Sequence, residues 1–121
     1  MVDRKALIRE YKERPRQIGI YRVHNLHDDR SLVGSSRDLP SILNRHRAQL
    51  RIGAHHNRAL QRDWNALGAD AFAFEVLDTL EPREEPNWDP GDDLAVLERL
   101  WLERLEPYDD RGYNARPKAK G

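Results

Sequence analysis

Cysteine is absent from the 121-residue chain, which excludes disulfide frameworks, thiolate zinc sites and cysteine nucleophiles and leaves stability to packing. Long apolar runs are also missing, and the opening residues MVDRKALIREYKER contain no apolar stretch of the kind a secretory signal carries. A membrane span and an export signal are therefore not expected, and the default location is the cytoplasm. Serines are few, and no Ser/His/Asp arrangement can be argued from them. The run Gly34-Ser35-Ser36 lacks the further glycines and the lysine of a nucleotide-phosphate loop. His55 and His56 do not have the i,i+4 spacing of a zinc pair, and adjacent residues on a regular element point apart.

What is present suits one folded domain with a small core: 38% of residues are hydrophobic, 35% are charged, and seven Gly and seven Pro punctuate the chain. Charge cancels in sum but not along the sequence. Residues 1–62 carry 14 Lys+Arg against 6 Asp+Glu and all five His, whereas residues 63–121 carry 7 against 15. Salt screening leaves mainly charges within about 8–10 Å of a phosphate relevant, so a basic face on a neutral protein is enough for nucleic-acid contact. The same arginines would also serve as a solvated face paired with the acidic half.

The order of elements follows from periodicity and punctuation. Leu7, Ile8 and Tyr11 have helical spacing within Asp3 to Glu13, and Pro15 ends that pattern. β-favouring runs interrupted by Asp28-Asp29 predict a hairpin with strands near 18–24 and 30–35. Asp38 and Pro40 open a helix that Gly53 stops after Arg51, and Asn57 caps another that Gly68 ends. Phe72, Phe74 and Val76 alternate on one face of a third strand, and the proline-bearing segment Glu81 to Gly91 is a loop that Trp88 packs down. Asp92 or Asp93 caps a last helix to Leu105, and the basic tail after Asn114 has no apolar anchor. The expected domain is α+β, a small three-stranded antiparallel sheet flanked by helices, spanning residues 17–114 between a helical extension (1–16) and a flexible tail (115–121).

Two polar side chains fall where apolar ones belong. On the last helix Glu98 lies about 40° from Leu94, at the edge of the stripe formed by Leu94, Leu97, Trp101 and Leu105, whereas Glu103 faces water. A carboxylate there must be paired, protonated or bound to a cation, because an uncompensated buried charge costs several kcal/mol; the plainer reading has it reach solvent or an arginine. On the helix from Leu39, His46 sits inside the stripe of Leu39, Ile42, Leu43 and Leu50. A core histidine bonded to a carbonyl would explain that, but two such anomalies on separate helices could converge on one site.

The hairpin reads Gly19-Ile20-Tyr21, then ten residues, then Leu32-Val33-Gly34-Ser35-Ser36, followed by a basic helix holding Arg45-His46-Arg47. This arrangement resembles the GIY-YIG nuclease family. The likeness continues through His55, the Leu60-Gln61…Trp64…Gly68 helix, Phe72 to Leu77, Glu98 with Trp101, and Gly112-Tyr113-Asn114. It implies a compact nuclease domain that holds one divalent cation, Mg²⁺ or Mn²⁺, on a glutamate and cleaves DNA by water attack. By resemblance Glu98 is the metal ligand, Tyr21 the first motif's tyrosine, His46 the helix histidine near the scissile phosphate and Asn114 the asparagine that steadies the site. Arg47, Arg51, His55, Arg58, Arg62, Ser35 and Ser36 are the expected nucleic-acid contacts.

Two positions depart from the family's pattern. Leu32 stands where the second motif has tyrosine, and Ile42 where the helix has arginine. Lost hydroxyl and guanidinium groups would remove a water-orienting group and a phosphoryl clamp. Arg45, one helical turn beyond Ile42, is the expected substitute for the charge, with Tyr21 or His46 orienting or deprotonating the water. Low sequence preference is expected. The alternative is a non-cleaving nucleic-acid-binding module using the same basic groove; RNA in place of DNA, a protein partner and the oligomeric state stay open.

Overall fold

A computed structural model of the chain describes residues 17–117. The helix expected over Asp3–Glu13 and the last four residues of the basic tail lie outside them. Three strands, β1 (Gly19–Asn25), β2 (Ser31–Ser36) and β3 (Phe72–Thr79), form one antiparallel sheet in the order β2-β1-β3. Among the described residues three α-helices accompany it: α1 (Leu39–Arg51), α2 (Arg58–Leu67) and α3 (Gly91–Leu105). The hairpin strands begin and end one residue later than expected. The α+β architecture is as the sequence predicts, and no helix among the described residues is long and apolar enough to cross a membrane.

Local signals explain most boundaries. The Asp38 carboxylate accepts the Ser41 N–H at the start of α1, and the Asn57 side chain accepts the Leu60 N–H at the start of α2. Gly68, at φ 88°, ends α2 in the left-handed region that favours glycine. α3 corrects the expected cap: it starts behind Pro90 with no side-chain cap bond, and Asp92 and Asp93 sit inside its first turn. There they complement the positive end of the helix. Asp93 accepts from the Trp88 indole at 3.2 Å, which is how Trp88 ties the preceding loop to α3.

Side-chain alternation along β1 divides the core between the two faces of the sheet. Val23 packs with Leu32, Leu50, Leu60, Trp64, Phe72 and Tyr113 beneath α1 and α2. Ile20 and Val33 pack with Leu94, Leu97, Trp101 and Leu105 beneath α3. β3 keeps the expected alternation through Val76: Phe72, Phe74 and Val76 are opposite Asn25, Val23 and Tyr21 on one face, and the irregularity follows them. Ile20 is opposite Asp78 and Tyr21 opposite Val76, so Leu77 is one residue extra. Leu77, at the bulge, packs in the α3 cluster, and Val76 before it is 44% exposed. A Cβ on Gly19 would run into the Asp78 carbonyl at this irregularity, which is why a glycine opens β1.

The β1–β2 turn is organised by Asn25, a polar side chain that is fully buried. Its Oδ1 accepts the His27 N–H at 2.9 Å and its Nδ2 donates to the Tyr113 hydroxyl at 3.0 Å. Tyr113 in turn donates to Asp63 at 2.7 Å, joining the hairpin to α2 and to the C-terminal segment. Replacing Asn25 by Ala leaves a turn amide and a phenol without their partners; it should cost about 2–3 kcal/mol in urea unfolding. Leu26→Ala, at a 56% exposed neighbour, should stay within about 0.5 kcal/mol.

Candidate active site

Tyr21 and Gly34 are cross-strand partners, and Tyr21 projects from the α1/α2 face of the sheet. The phenol lies over the bare Gly34 backbone: a Cβ there would sit 2.5 Å from Tyr21 Oη and 2.7 Å from its Cζ. The glycine therefore makes room for the tyrosine, which is itself only 8% exposed.

Behind the phenol runs a file of imidazoles. His46 Nε2 is 2.9 Å from Tyr21 Oη, and His46 Nδ1 is 2.8 Å from His55 Nε2. The rings of His46 and His55 stack at 5.0 Å, and those of His55 and His56 at 4.6 Å. Adjacent histidines were expected to point apart; they do not, because they lie in the loop between α1 and α2, where strand or helix alternation does not apply. His46 is not the carbonyl-bonded core histidine considered from sequence, since both its ring nitrogens face other site side chains. Burial, helped by His55, His56 and Arg45, pushes His46 down to about 4. Burial and then His56 lower His55 as well. Burial, followed by the Glu98 charge, pushes the Tyr21 phenol up to about 12.

Glu98 approaches from the opposite face, on α3. It is half-buried, and its Oε2 accepts the Ser35 hydroxyl at 2.8 Å. Ser35 follows Gly34 on edge strand β2, so Glu98 and the tyrosine meet at the same stretch of that edge from its two sides. No arginine pairs with Glu98 among the described residues, and its Oε1 has no hydrogen-bond partner there. Asn114 supports this stretch: its Oδ1 accepts the Val33 N–H and its Nδ2 donates to the Val33 carbonyl, each at 2.8 Å. Both polar ends of Asn114 are thus used on the backbone of β2.

The remaining sequence candidates divide. His55, Arg58 and Arg62 line an open cleft of about 390 Å³ beside the imidazole file, together with Gln61. Arg45 and Arg51 are exposed on α1. The Arg47 guanidinium stacks 4.6 Å over the Phe74 ring, and the Ser36 hydroxyl accepts the Asp38 N–H at the entry to α1. Leu32 is part of the core, and Ile42 is half-buried one turn before His46. Gln61 had no place among the sequence-derived candidates. Its Oε1 accepts the His55 N–H and its Nε2 donates to the Leu50 carbonyl, both at 3.0 Å, which pins the His55 loop to the end of α1. On the helical wheel it lies about 60° from Trp64, a boundary position that gives only a weak signal.

The chain superposes on the catalytic domain of the homing endonuclease I-TevI with a TM-score of 0.65 and 29% identity, over 83% of this chain and 99% of that one. This is the GIY-YIG fold. A glutamate-to-alanine variant of the same catalytic domain matches with a TM-score of 0.66 and 26% identity, over 87% and 99% of the two chains. No family model and no curated protein matches the chain. Within this GIY-YIG fold the two name-giving motifs are neighbouring strands, and the glycine of the second is the residue over which the tyrosine of the first lies.

The file of neutral imidazoles has a consequence for acid stability. His46 resists protonation in the folded state, down to about 4, while the unfolded chain takes up that proton near 6.5. Its contribution is fully present above about pH 6.5 and is lost as pH falls toward 4. The midpoint of thermal unfolding should fall steeply between pH 7 and 4, and less steeply in His46→Gln, which has no proton to gain.

Proposed function

We propose that the chain hydrolyses DNA phosphodiester bonds, with a divalent cation held on Glu98 and with little sequence preference. Structural similarity to an endonuclease catalytic domain supports a nuclease-like function. The observation that carries the fuller reading is the meeting at the β2 edge of a half-buried carboxylate with an unpartnered oxygen and a phenol backed by buried imidazoles.

Glu98 fits a sparsely held hard cation. Among the described residues no group of three or more His, Cys, Asp or Glu side chains is arranged so that it could hold a metal ion, which does not suit zinc. Mg²⁺ retains most of its waters and binds through one or two carboxylates plus phosphate oxygens, and Glu98 offers one such carboxylate. When bound, Mg²⁺ or Mn²⁺ supplies positive charge to the phosphate oxygens and makes a water more acidic. The chain's own residues do the rest. His46 has both ring nitrogens engaged, so it acts through Tyr21 and not directly on the water. Arg45 supplies the charge that Ile42 does not. Arg58 and Arg62, lining the cleft, and exposed Arg51 contact phosphates, which position a strand without reading its bases.

A second reading, a nucleic-acid-binding module that does not cleave, is favoured by the apolar residues at Leu32 and Ile42. Supercoiled, linear and single-stranded DNA, with an RNA arm, incubated with Mg²⁺ or Mn²⁺ separates the two. Nicking of DNA that chelation abolishes and that Glu98→Ala lowers by at least about 10³-fold is expected. Arg45→Ala should lower the rate by about 10²-fold with its metal dependence unchanged. Cleavage that survives in Glu98→Ala means another metal ligand or a contaminant; shifted gel mobility without cleavage selects the second reading.

A further inference from the structure

α3 carries two apolar stripes, and the sheet covers only one of them. Leu94, Leu97, Trp101 and Leu105 face the sheet, whereas Asp93, Val96, Leu97 and Leu100 follow the i, i+3, i+4, i+7 spacing of a second stripe beside it. Val96 is 48% exposed and Leu100 55%. With Leu80 and Trp88 they line an open groove of about 340 Å³, which Glu81 and Asp93 also border. The chain enters the sheet beside this groove: the Leu80 N–H donates to the Ile18 carbonyl at 2.7 Å, so residues 1–16 lead into β1 at the groove's edge. Those residues hold a complementary pattern. Leu7, Ile8 and Tyr11 have helical spacing, and six Lys+Arg stand against three Asp+Glu. Residues 81–93, the loop and first turn of α3 around the groove, carry six Asp+Glu against one Arg. Asp93 is already met by Arg83 at 3.4 Å, whereas Glu81, Glu84 and Glu85 have no basic partner among the described residues.

We propose that residues 3–13 dock as a helix in the groove between Leu80 and α3, with Leu7, Ile8 and Tyr11 against Val96, Leu100 and Trp88. On helical spacing Arg4 and Arg14 border the apolar stripe, where they meet the unpaired glutamates of the loop, and Lys5 lies on the opposite side. Lengths agree. Eleven helical residues span about 16 Å, the second stripe from Asp93 to Leu100 about 10 Å, and Arg14–Arg16 can bridge up to about 10 Å. The tether decides the occupant. Three apolar side chains offer too little area for a stable complex between separate molecules, but a segment attached at the groove's edge docks at high effective concentration and needs far less. The acidic loop repels a phosphate backbone, so the groove is no extension of the basic cleft beside α2.

Because the chain has no cysteine, Lys5→Cys carries a single nitroxide, placed away from the apolar stripe. In the full chain at low protein concentration the methyl signals of Leu80, Val96, Leu97 and Leu100 should broaden, and those of Leu26, at the far end of β1, should not. Ile8→Asp should restore the groove signals with the rest of the spectrum unchanged. Nitroxide-bearing chain without isotope, mixed with isotope-enriched chain without nitroxide, should broaden none of them. Broadening in that mixture assigns the groove to a second copy and overturns the proposal, as do groove methyls that keep full intensity in the labelled chain itself. Accessibility gives an independent reading. Leu100→Cys should react with a thiol reagent about tenfold more slowly than the same cysteine combined with Ile8→Asp, the ratio for docking favoured by about 1.4 kcal/mol; equal rates overturn the docking.

Discussion

A tyrosine laid across a glycine is the contact on which the site depends. Tyr21 reaches His46 only because Gly34, its partner across the hairpin, has no Cβ to lift the phenol off the sheet. Strand register decides that partnership, and a slip by one residue would turn Tyr21 to the α3 face and away from every histidine it now meets. The turn that sets the register is built on buried Asn25, whose amide also binds Tyr113. Packing at one end of the hairpin and chemistry at the other are therefore one constraint.

The sheet also separates two electrostatic environments. On the α1/α2 side, burial keeps two imidazoles and a phenol neutral. On the α3 side stands Glu98, tied to Ser35 and unmatched by a cation among the described residues. Its charge is nevertheless felt by Tyr21, adding to the desolvation that raises the phenol. Edge strand β2 is the place where the two sides can act on one ligand. Asn114 holds that strand by using its side-chain amide as a substitute for a neighbouring strand's backbone.

The two departures from the family's motifs have unequal structural weight. Leu32 packs among Val23, Leu50, Leu60 and Trp64, so an aromatic hydroxyl has been exchanged for core volume. Ile42 lies one turn from His46 and contributes no charge, which leaves the positive potential of α1 to exposed arginines such as Arg45. Charge carried on long exposed side chains is mobile and screened, in contrast to the rigid neutral file beside it.

Most of the fold was legible along the chain because its signals are local: Asp38, Asn57 and Gly68 bound helices by hydrogen bonds and dihedral preferences that reach only a few residues. Glu98 and His46 stood out for a similar reason, as polar groups breaking an apolar period. Where local signals competed with packing they misled, at Asp92 and Asp93, which enter the helix they were expected to cap. The amino-acid sequence determined which residues could neither face water freely nor lie unpaired in a core. Only the tertiary structure decided what they bond to, because hydrogen bonds between His46 and His55, Ser35 and Glu98, or Asn114 and Val33 depend on distances and directions that separate elements acquire when they pack against a common sheet.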